Sequence, residues 1–292
     1  ESLTTIGQDA FHECNLIREV YIPASVSAIG ESGNDVFGKG VESITVDPRN
    51  KKYTTIDGML YTMKGKNLQY CPEGKKGEIN LPDKLTNING AAFSGCSMIT
   101  AVNIPQSVKK IGISAFYNCS GLKEIIIPDG IKEVKEACFE GCTALEKVSL
   151  PDGMVMIESR AFKDCISLKE IVLPESVYKI GMNTFAENTV VTCSADIFKK
   201  LPNENKTSTA LAYFADTSRF GDELTEAINA FVKKYRADIL EKLMTQGNVD
   251  MLEAYLSGTS MTKKIMNECL ECAERTGNVE MKAFLLDYSS KK

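Results

Sequence analysis

Few residues in this sequence are of a type and spacing that could do chemistry. The chain holds one histidine, His12, and ten cysteines. A Ser-His or Cys-His nucleophilic pair would have to use His12, and nothing in the sequence sets a nucleophile beside it. It reads as an exposed residue in a variable slot between Phe11 and Glu13. Cys269 and Cys272 form a Cys-x-x-Cys pair. Zinc would need a second pair of ligands and a redox site a helix N-terminus, whereas these cysteines fall inside a helical pattern over Met266 to Ala273. No glycine-rich phosphate loop is present, and the acids alternate with bases instead of converging. The expectation is therefore no enzyme, no cofactor and no metal.

The remaining chemistry-bearing residues belong to a period. Phe93, Phe116, Phe139, Phe162 and Phe185 recur every 23 residues, and Cys96, Cys119, Cys142 and Cys165 each follow their Phe by three. A fixed period of this size marks a solenoid, in which one turn buries its apolar edge against an equivalent turn. The four cysteines read as buried thiols acting as small hydrophobes. Disulfides between rungs are the alternative, since stacked Cα atoms fall within the roughly 4.4–6.8 Å that a bridge spans.

The elements that position this column follow from one turn. After Cys119 come Leu122, Ile125, Ile127, Pro128, Ile131 and Val134, and then Cys138 and Phe139. Leu122 to Ile127 alternates inward and outward and is rich in branched residues, which predicts a short strand pairing in parallel with its neighbours at about 4.8 Å. Pro128 ends it, and Asp129-Gly130 turns the chain away. The Ala-Phe pair with its Cys predicts one helical turn.

The pattern Phe-x-x-Cys-x-x-Leu-x-x-Ile-x-Ile-Pro-x-x-Val-x-x-Ile-Gly resembles the BspA-like, Treponema-type leucine-rich repeats, over roughly Leu3 to Val191. The resemblance implies an α/β solenoid, a curved right-handed stack of ~23-residue turns with a parallel sheet. It also implies a binding role at a bacterial cell surface or in secreted form. Asn89, Lys135 and Glu158 occupy the Gly slot, so a positive φ is not expected there. Gly40 and Asn188 replace the Cys, so the thiol is dispensable.

Two units are expected: a solenoid over residues 1–193 and an α-helical array over residues 194–292. The first turn runs from Leu3 to Val26, and the second, from Ile29 and Phe37 to Val46, is irregular around Glu31 to Asp35. Between about residues 47 and 77 the period breaks into alternating residues around Asp57-Gly58 and Lys64-Gly65, which predicts a small inserted β-meander. Beyond Cys193, helical spacing appears in seven segments between Ala195 and Tyr288. Asp222, Asn248 and Asn278 are the expected N-caps. Gly-Asn-Val recurs at Gly247 and Gly277, an interval of 30 that suggests paired antiparallel helices. Their minimum task is to cover the stack's C-terminal edge, and a partner-binding role is the alternative.

Composition limits the partners. The chain has 292 residues, 43% hydrophobic and 25% charged, with a net charge of −5. That balance speaks against nucleic acid and anionic membranes, and no apolar run is long enough to insert in a bilayer. The first residue falls in mid-repeat with no leader pattern before it, which suggests a mature or truncated chain and leaves both a surface and a cytoplasmic location open.

On the strand face, Lys123, Glu146, Lys169 and Glu124, Lys147, Glu170 form two columns of alternating sign that are expected to neutralise each other. The N-terminal half is the expected ligand site for a protein or glycan. Arg18, Tyr21 and Thr45 face outward there without evident partners, and the insert adds Tyr53, Tyr61 and Tyr70, amphipathic rings of the kind found at binding surfaces. The competing readings are that the insert's tyrosines build their own core, and that the whole chain is an intracellular scaffold or spacer with the helical array as docking surface.

Overall fold

The computed structural model describes residues 2–30, 36–259 and 261–290. The stretch Glu31 to Asp35, expected to be irregular, lies outside them. The chain divides into two compact units, Glu1–Thr189 and Val190–Lys292.

Within the first unit, successive turns bond to one another along three edges, with the strand ladder interrupted between Lys147–Ser149 and Glu170–Val172 on the first and between Lys110–Ile111 and Glu133–Val134 on the second. The first is the predicted strand: Ile99–Asn103, Glu124–Ile126 and Lys147–Ser149 pair in parallel, with Glu124, Ile125 and Ile126 opposite Lys147, Val148 and Ser149. Alternation decides which side is buried. Ile125 and Ile127 are 2% and 3% exposed, while Ile126 between them is 67% exposed. The second edge, beyond the proline, was not foreseen as a sheet. Asn87–Ile88 and Lys110–Ile111 pair in parallel, as do Glu133–Val134, Met156–Ile157 and Lys179–Ile180.

The third edge corrects the expected helical turn. A helix would satisfy its N–H groups internally, but here alternate N–H groups donate to the following turn: Ser114 N to Glu136 O (2.9 Å), Phe116 N to Cys138 O (2.8 Å) and Asn118 N to Glu140 O (2.8 Å). The chain rounds this corner through two left-handed residues per turn, at Ser114, Ala137 and Arg160 (φ 54°, 51°, 58°) and at Asn118, Gly141 and Asp164 (φ 55°, 77°, 59°). Left-handed backbone costs a non-glycine residue roughly 1–2 kcal/mol, and the repeated ladder bonds offset it. At the Gly slot the backbone is not left-handed. Gly112 is instead a place of close approach, where a Cβ would lie 2.3 Å from Gly90 N.

Between these corners the phenylalanines form one buried column. Ring centroids along Phe93, Phe116, Phe139, Phe162 and Phe185 are 4.8, 5.1, 5.3 and 6.0 Å apart, with planes within 8° of parallel. Beside it stand the thiols Cys96, Cys119, Cys142 and Cys165, all fully buried and free. Cys119 Sγ donates to Phe93 O (3.0 Å), Cys142 Sγ to Phe116 O (3.1 Å) and Cys165 Sγ to Phe139 O (3.1 Å). The slot therefore takes a small apolar side chain with a weak donor, a combination that cysteine supplies.

The insert is three antiparallel strands, Tyr53–Ile56, Met59–Thr62 and Asn67–Tyr70. Asp57 and Gly58 (φ 49°, 67°) make the first turn, the two left-handed positions that a tight hairpin of this hand requires. The meander is built into the stack. Asn67–Tyr70 continues in parallel onto Asn87–Ile88, and Ile44 N donates to Gly58 O (2.9 Å) while Thr55 Oγ1 donates to Ile44 O (2.7 Å). The hairpin thus satisfies part of the edge of Ser43–Val46, which pairs on its other side with Glu19–Ile22.

The second unit holds, after a strand at Val190–Thr192, the helices α1 (Ala195–Lys200), α2 (Asn203–Ala215), α3 (Asp222–Lys234), α4 (Arg236–Gln246), α5 (Val249–Gly258), α6 (Lys263–Arg275) and α7 (Val279–Ser290). Asn248 and Asn278 cap α5 and α7, each accepting through Oδ1 from the N–H three residues on at 3.0 Å. Gly247 and Gly277 before them are left-handed (φ 66°, 69°), as helix C-termini favour. Asn278 Nδ2 also donates to Met244 O (2.8 Å), which ties one helix pair to the next. Asp222 is not a cap. Gly221 takes that position and Asp222 begins the helix, where its charge still suits the positive end of the helix dipole.

Candidate functional site

The tyrosines of the insert are core residues, which overturns their assignment to a ligand surface. Tyr53, Tyr61 and Tyr70 are 6%, 0% and 1% exposed. Tyr53 Oη accepts from Ile29 N at 3.2 Å, and the Tyr70 ring lies 5.0 Å from Phe37, extending the stack of Phe11 on Phe37. Tyr61 Oη has no hydrogen-bond partner among the described residues. Burial pushes the Tyr61 and Tyr70 phenols well above their ordinary range. The physical cause is that both faces of the hairpin are covered: Tyr53 and Tyr70 lie on the face of Leu60, in one core with Phe37 and Ile44, while Tyr61 lies on the opposite face, and Met59, Leu60 and Tyr61 are all buried in succession.

Tyr21 and Thr45 do come together, directly opposite each other on adjacent strands, whereas Arg18 lies just before the first of these strands and makes its contacts elsewhere. Tyr21 is 59% exposed. Neither Arg18 nor Tyr21 is without partners, contrary to expectation. Arg18 Nη1 donates to Gly40 O (2.9 Å) and Asn15 O (3.2 Å), and its Nε lies 3.9 Å from Glu42. Tyr21 Oη donates to Asp47 Oδ2 at 2.8 Å. Asp47, nearly buried, is also gripped by Arg49, through Nη2 (2.9 Å), Nε (3.1 Å) and the backbone N–H (2.9 Å). The Arg49 hydrogen bonds, followed by that from Tyr21, hold its carboxyl far below the usual carboxylate range. The result is a fixed aromatic ring beside an exposed guanidinium. Asp47 and Arg49 were missed because they lie past the strand, and the Asp-Pro-Arg that ends it was the available signal.

Further along the face, Lys123, Glu124, Glu146 and Lys147 are exposed and in the expected register. Among the described residues, however, none of the four closes an ion pair. The face also carries a depression of about 510 Å3 over Ala101, bordered by Asn80, Asn103, Asp83, Glu124 and Ile126.

His12 is exposed. Cys269 and Cys272 are buried within α6, and burial pushes the Cys269 thiol up to about 12. Burial likewise raises Cys119 and Cys165, so these sulfurs are protonated thiols and poor nucleophiles. Among the described residues no three metal-ligating side chains converge, and no helix is long and apolar enough to cross a membrane.

Three bonded edges, a stacked phenylalanine column and a periodic thiol define a leucine-rich-repeat solenoid. The chain belongs to the BspA type leucine rich repeat region family, whose model matches six copies over residues 1–59 and 67–192. It is similar to a leucine rich cell surface protein of Faecalibacterium prausnitzii A2-165, at 30% identity over 66% of this chain and 52% of that one, with a TM-score of 0.57. It shares its fold with a leucine-rich repeat protein of Eubacterium ventriosum ATCC 27560, at 24% identity over 65% of this chain and 63% of that one, with a TM-score of 0.50. The chain thus spans between half and two thirds of the length of these proteins. No curated protein is significantly similar to it.

Proposed function

We propose that this chain is a non-enzymatic recognition module that binds a protein partner at a bacterial cell surface through its strand face, with Arg18, Tyr21 and Thr45 as contact residues. The observation that carries this reading is the Tyr21 platform: a ring 59% exposed, yet held in one place by Asp47 and Arg49. A fixed aromatic group contributes contact area with little ordering entropy left to lose, which favours binding. The cell surface protein of F. prausnitzii, similar over most of the solenoid, supports the location. The insert has a structural part in this reading, since its tyrosines are occupied by the core.

The test is affinity capture of surface proteins with the intact chain and with Tyr21→Ala plus Thr45→Glu, followed by titration of the captured protein. The variant should weaken binding at least about tenfold, roughly 1.4 kcal/mol. Equal affinity of the two chains, or no saturable partner, would sink the proposal.

A further inference from the structure

The second bonded edge is open at one junction, and the residues around it differ from those along the rest of the edge. On either side of it each turn donates backward to the turn before: Lys109 N to Thr86 O (2.8 Å) and Gly112 N to Ile88 O (2.9 Å), then Val155 N to Lys132 O (2.8 Å) and Glu158 N to Val134 O (2.9 Å). Between these two junctions Lys110–Ile111 and Glu133–Val134 do not pair. Lys132 N–H and Lys135 N–H, the counterparts of those donors, have no backbone partner among the described residues, and Lys109 O and Ile111 O are left over with them. Main-chain groups left out of a ladder call for water or a ligand. A depression of about 370 Å3 lies over this opening, lined by Lys109, Lys110, Ile111, Gly130, Lys132 and Lys135 among others.

The lining is cationic. Lys109, Lys110 and Lys132 are exposed, and among the described residues none of them has an ion-pair partner; Lys109 Nζ donates to Gln106 O (3.2 Å). No side chain fills the place of Gly130, where a Cβ would lie 2.9 Å from Lys109 Nζ, so this ammonium stands at the depression. Glu133, which also lines it, is already taken up by Lys135, as is Glu158 (2.9 Å). Farther along the same column the chemistry changes. Lys109, Lys132, Val155 and Tyr178 follow one another at intervals of 23 residues, with Val155 N bonded to Lys132 O and Tyr178 N to Val155 O (3.2 Å). Tyr178 is 65% exposed, and Met182, four residues on, is 78% exposed. The column thus passes from lysine to exposed apolar surface within three rungs, on a chain whose net charge is −5.

We infer that this column receives an extended acidic segment of a protein, with two carboxylate side chains against Lys109, Lys110 and Lys132 and an apolar side chain against Tyr178. Carboxylates only accept and ammonium groups only donate, so the two are matched, and a carboxylate oxygen over the opening also supplies the acceptor that Lys132 N–H and Lys135 N–H lack. The spacing fits. With rungs about 4.8 Å apart, Lys109 and Tyr178 are separated by about 14 Å, which an extended chain covers in about four residues, and its side chains at alternate positions share one face. A sulfated polysaccharide would meet the lysines but brings no apolar side chain to Tyr178 and Met182. This surface lies on the second edge, apart from Tyr21 on the first, and the inference does not depend on the role proposed for Tyr21.

The probe is the fluorescein-labelled peptide Gly-Glu-Ser-Glu-Ser-Leu-Gly, followed by anisotropy. Replacing both of its glutamates by glutamine should weaken binding at least about tenfold, and so should Lys109→Glu with Lys132→Glu in the protein, since two exposed pairs are lost at up to about fivefold each. Serine in place of the peptide's leucine, or Tyr178→Ser, should weaken it at least about threefold, as for an apolar side chain covered in part. Equal binding of the glutamate and glutamine peptides, or undiminished binding to Lys109→Glu with Lys132→Glu, overturns the inference. Binding that ignores the leucine and is matched by a dextran sulfate fragment shows attraction for any polyanion and overturns it as well. Should the double lysine variant fail to fold, the glutamine and serine peptides decide the matter on the intact chain. Tyr21→Ala with Thr45→Glu should bind the peptide as the intact chain does, so that the two surfaces stand or fall separately. A loss of peptide binding in that variant would place the peptide on the first edge and overturn the assignment to Lys109 and Lys132.

Discussion

The regular stack from Ala91 to Phe185 and the irregular region from Val36 to Asn80 bury comparable cores by different means. In the stack, every turn repeats the same ring, thiol and corner, and the rings lie within 8° of parallel. In the irregular region a hairpin replaces a turn and tyrosines fill the places of the repeated residues, with Tyr70 tilted 43° against Phe37. A solenoid therefore tolerates a foreign element when that element still offers a rung. Here Asn67–Tyr70 pairs in parallel with Asn87–Ile88, as a regular turn would.

Removing the hairpin has the largest expected effect. Replacing residues 51–76 by a short linker deletes buried Tyr53, Met59, Leu60, Tyr61, Leu68 and Tyr70. At roughly 1.5–3 kcal/mol each, their loss is on the order of 10 kcal/mol, comparable with the whole stability of a domain. Asn50 depends on the same region: its Oδ1 accepts from Lys52 N and Tyr53 N while its Nδ2 holds Pro23 O and Val26 O. The first two turns should then lose protection in hydrogen exchange while residues 91–185 keep theirs. Full protection throughout would mean that the insert is dispensable.

A smaller effect tests the regular side. Phe139 is fully buried between Phe116 and Phe162, and Phe139→Ala should cost about 3–5 kcal/mol in denaturant unfolding. A loss under about 1 kcal/mol would show that the column does not carry the stack.

How far the two regions could be read from sequence differs for the same reason that they are built differently. Phe93 to Phe185 declared itself because each slot recurs, and recurrence separates signal from drift. The strand register followed from it, as Glu124 opposite Lys147 shows. The corners did not, because Ser114, Ala137 and Arg160 share a left-handed backbone but no side-chain type. In the insert nothing recurs, so Tyr61 on a hairpin looked as much like a surface ring as a core ring, and only its packing decides. The depression over Ala101 escaped notice because it lies over a small side chain, and the Asp47–Arg49 grip because it lies beyond the strand.

Smaller again is the effect of the Tyr61 hydroxyl. It is buried with no partner among the described residues, and such a group costs about 1–3 kcal/mol of lost hydration. Tyr61→Phe keeps the ring and removes the unsatisfied group, so it should leave the protein as stable or more stable by up to about 1 kcal/mol, read from the denaturation midpoint. A clear destabilisation would mean that a water or a neighbouring group satisfies the hydroxyl.

The smallest effect belongs to the charged columns, and it asks whether the exposed face helps to set the register at all. Exchanging Glu146→Lys with Lys147→Glu gives each column a single sign: the column of Lys123 and Lys169 becomes wholly cationic, and that of Glu124 and Glu170 wholly anionic. Like charges on neighbouring strands, about 4.8 Å apart, repel. Yet Lys123, Glu124, Glu146 and Lys147 close no ion pair among the described residues, and all six positions are exposed. The attraction given up is therefore that of charges in water, a few tenths of a kcal/mol. The change should also shrink as added salt shortens the screening length below about 8 Å. The interior supplies the opposing argument: Ile125 and Val148 stand opposite each other beneath the same columns, and a slip of one residue would turn them outward. Urea unfolding at low and high salt should therefore show a loss below about 0.5 kcal/mol that vanishes at high salt. A loss above about 1.5 kcal/mol that persists in salt would exceed what exposed pairs contribute and would assign the register to the surface charges instead of the core.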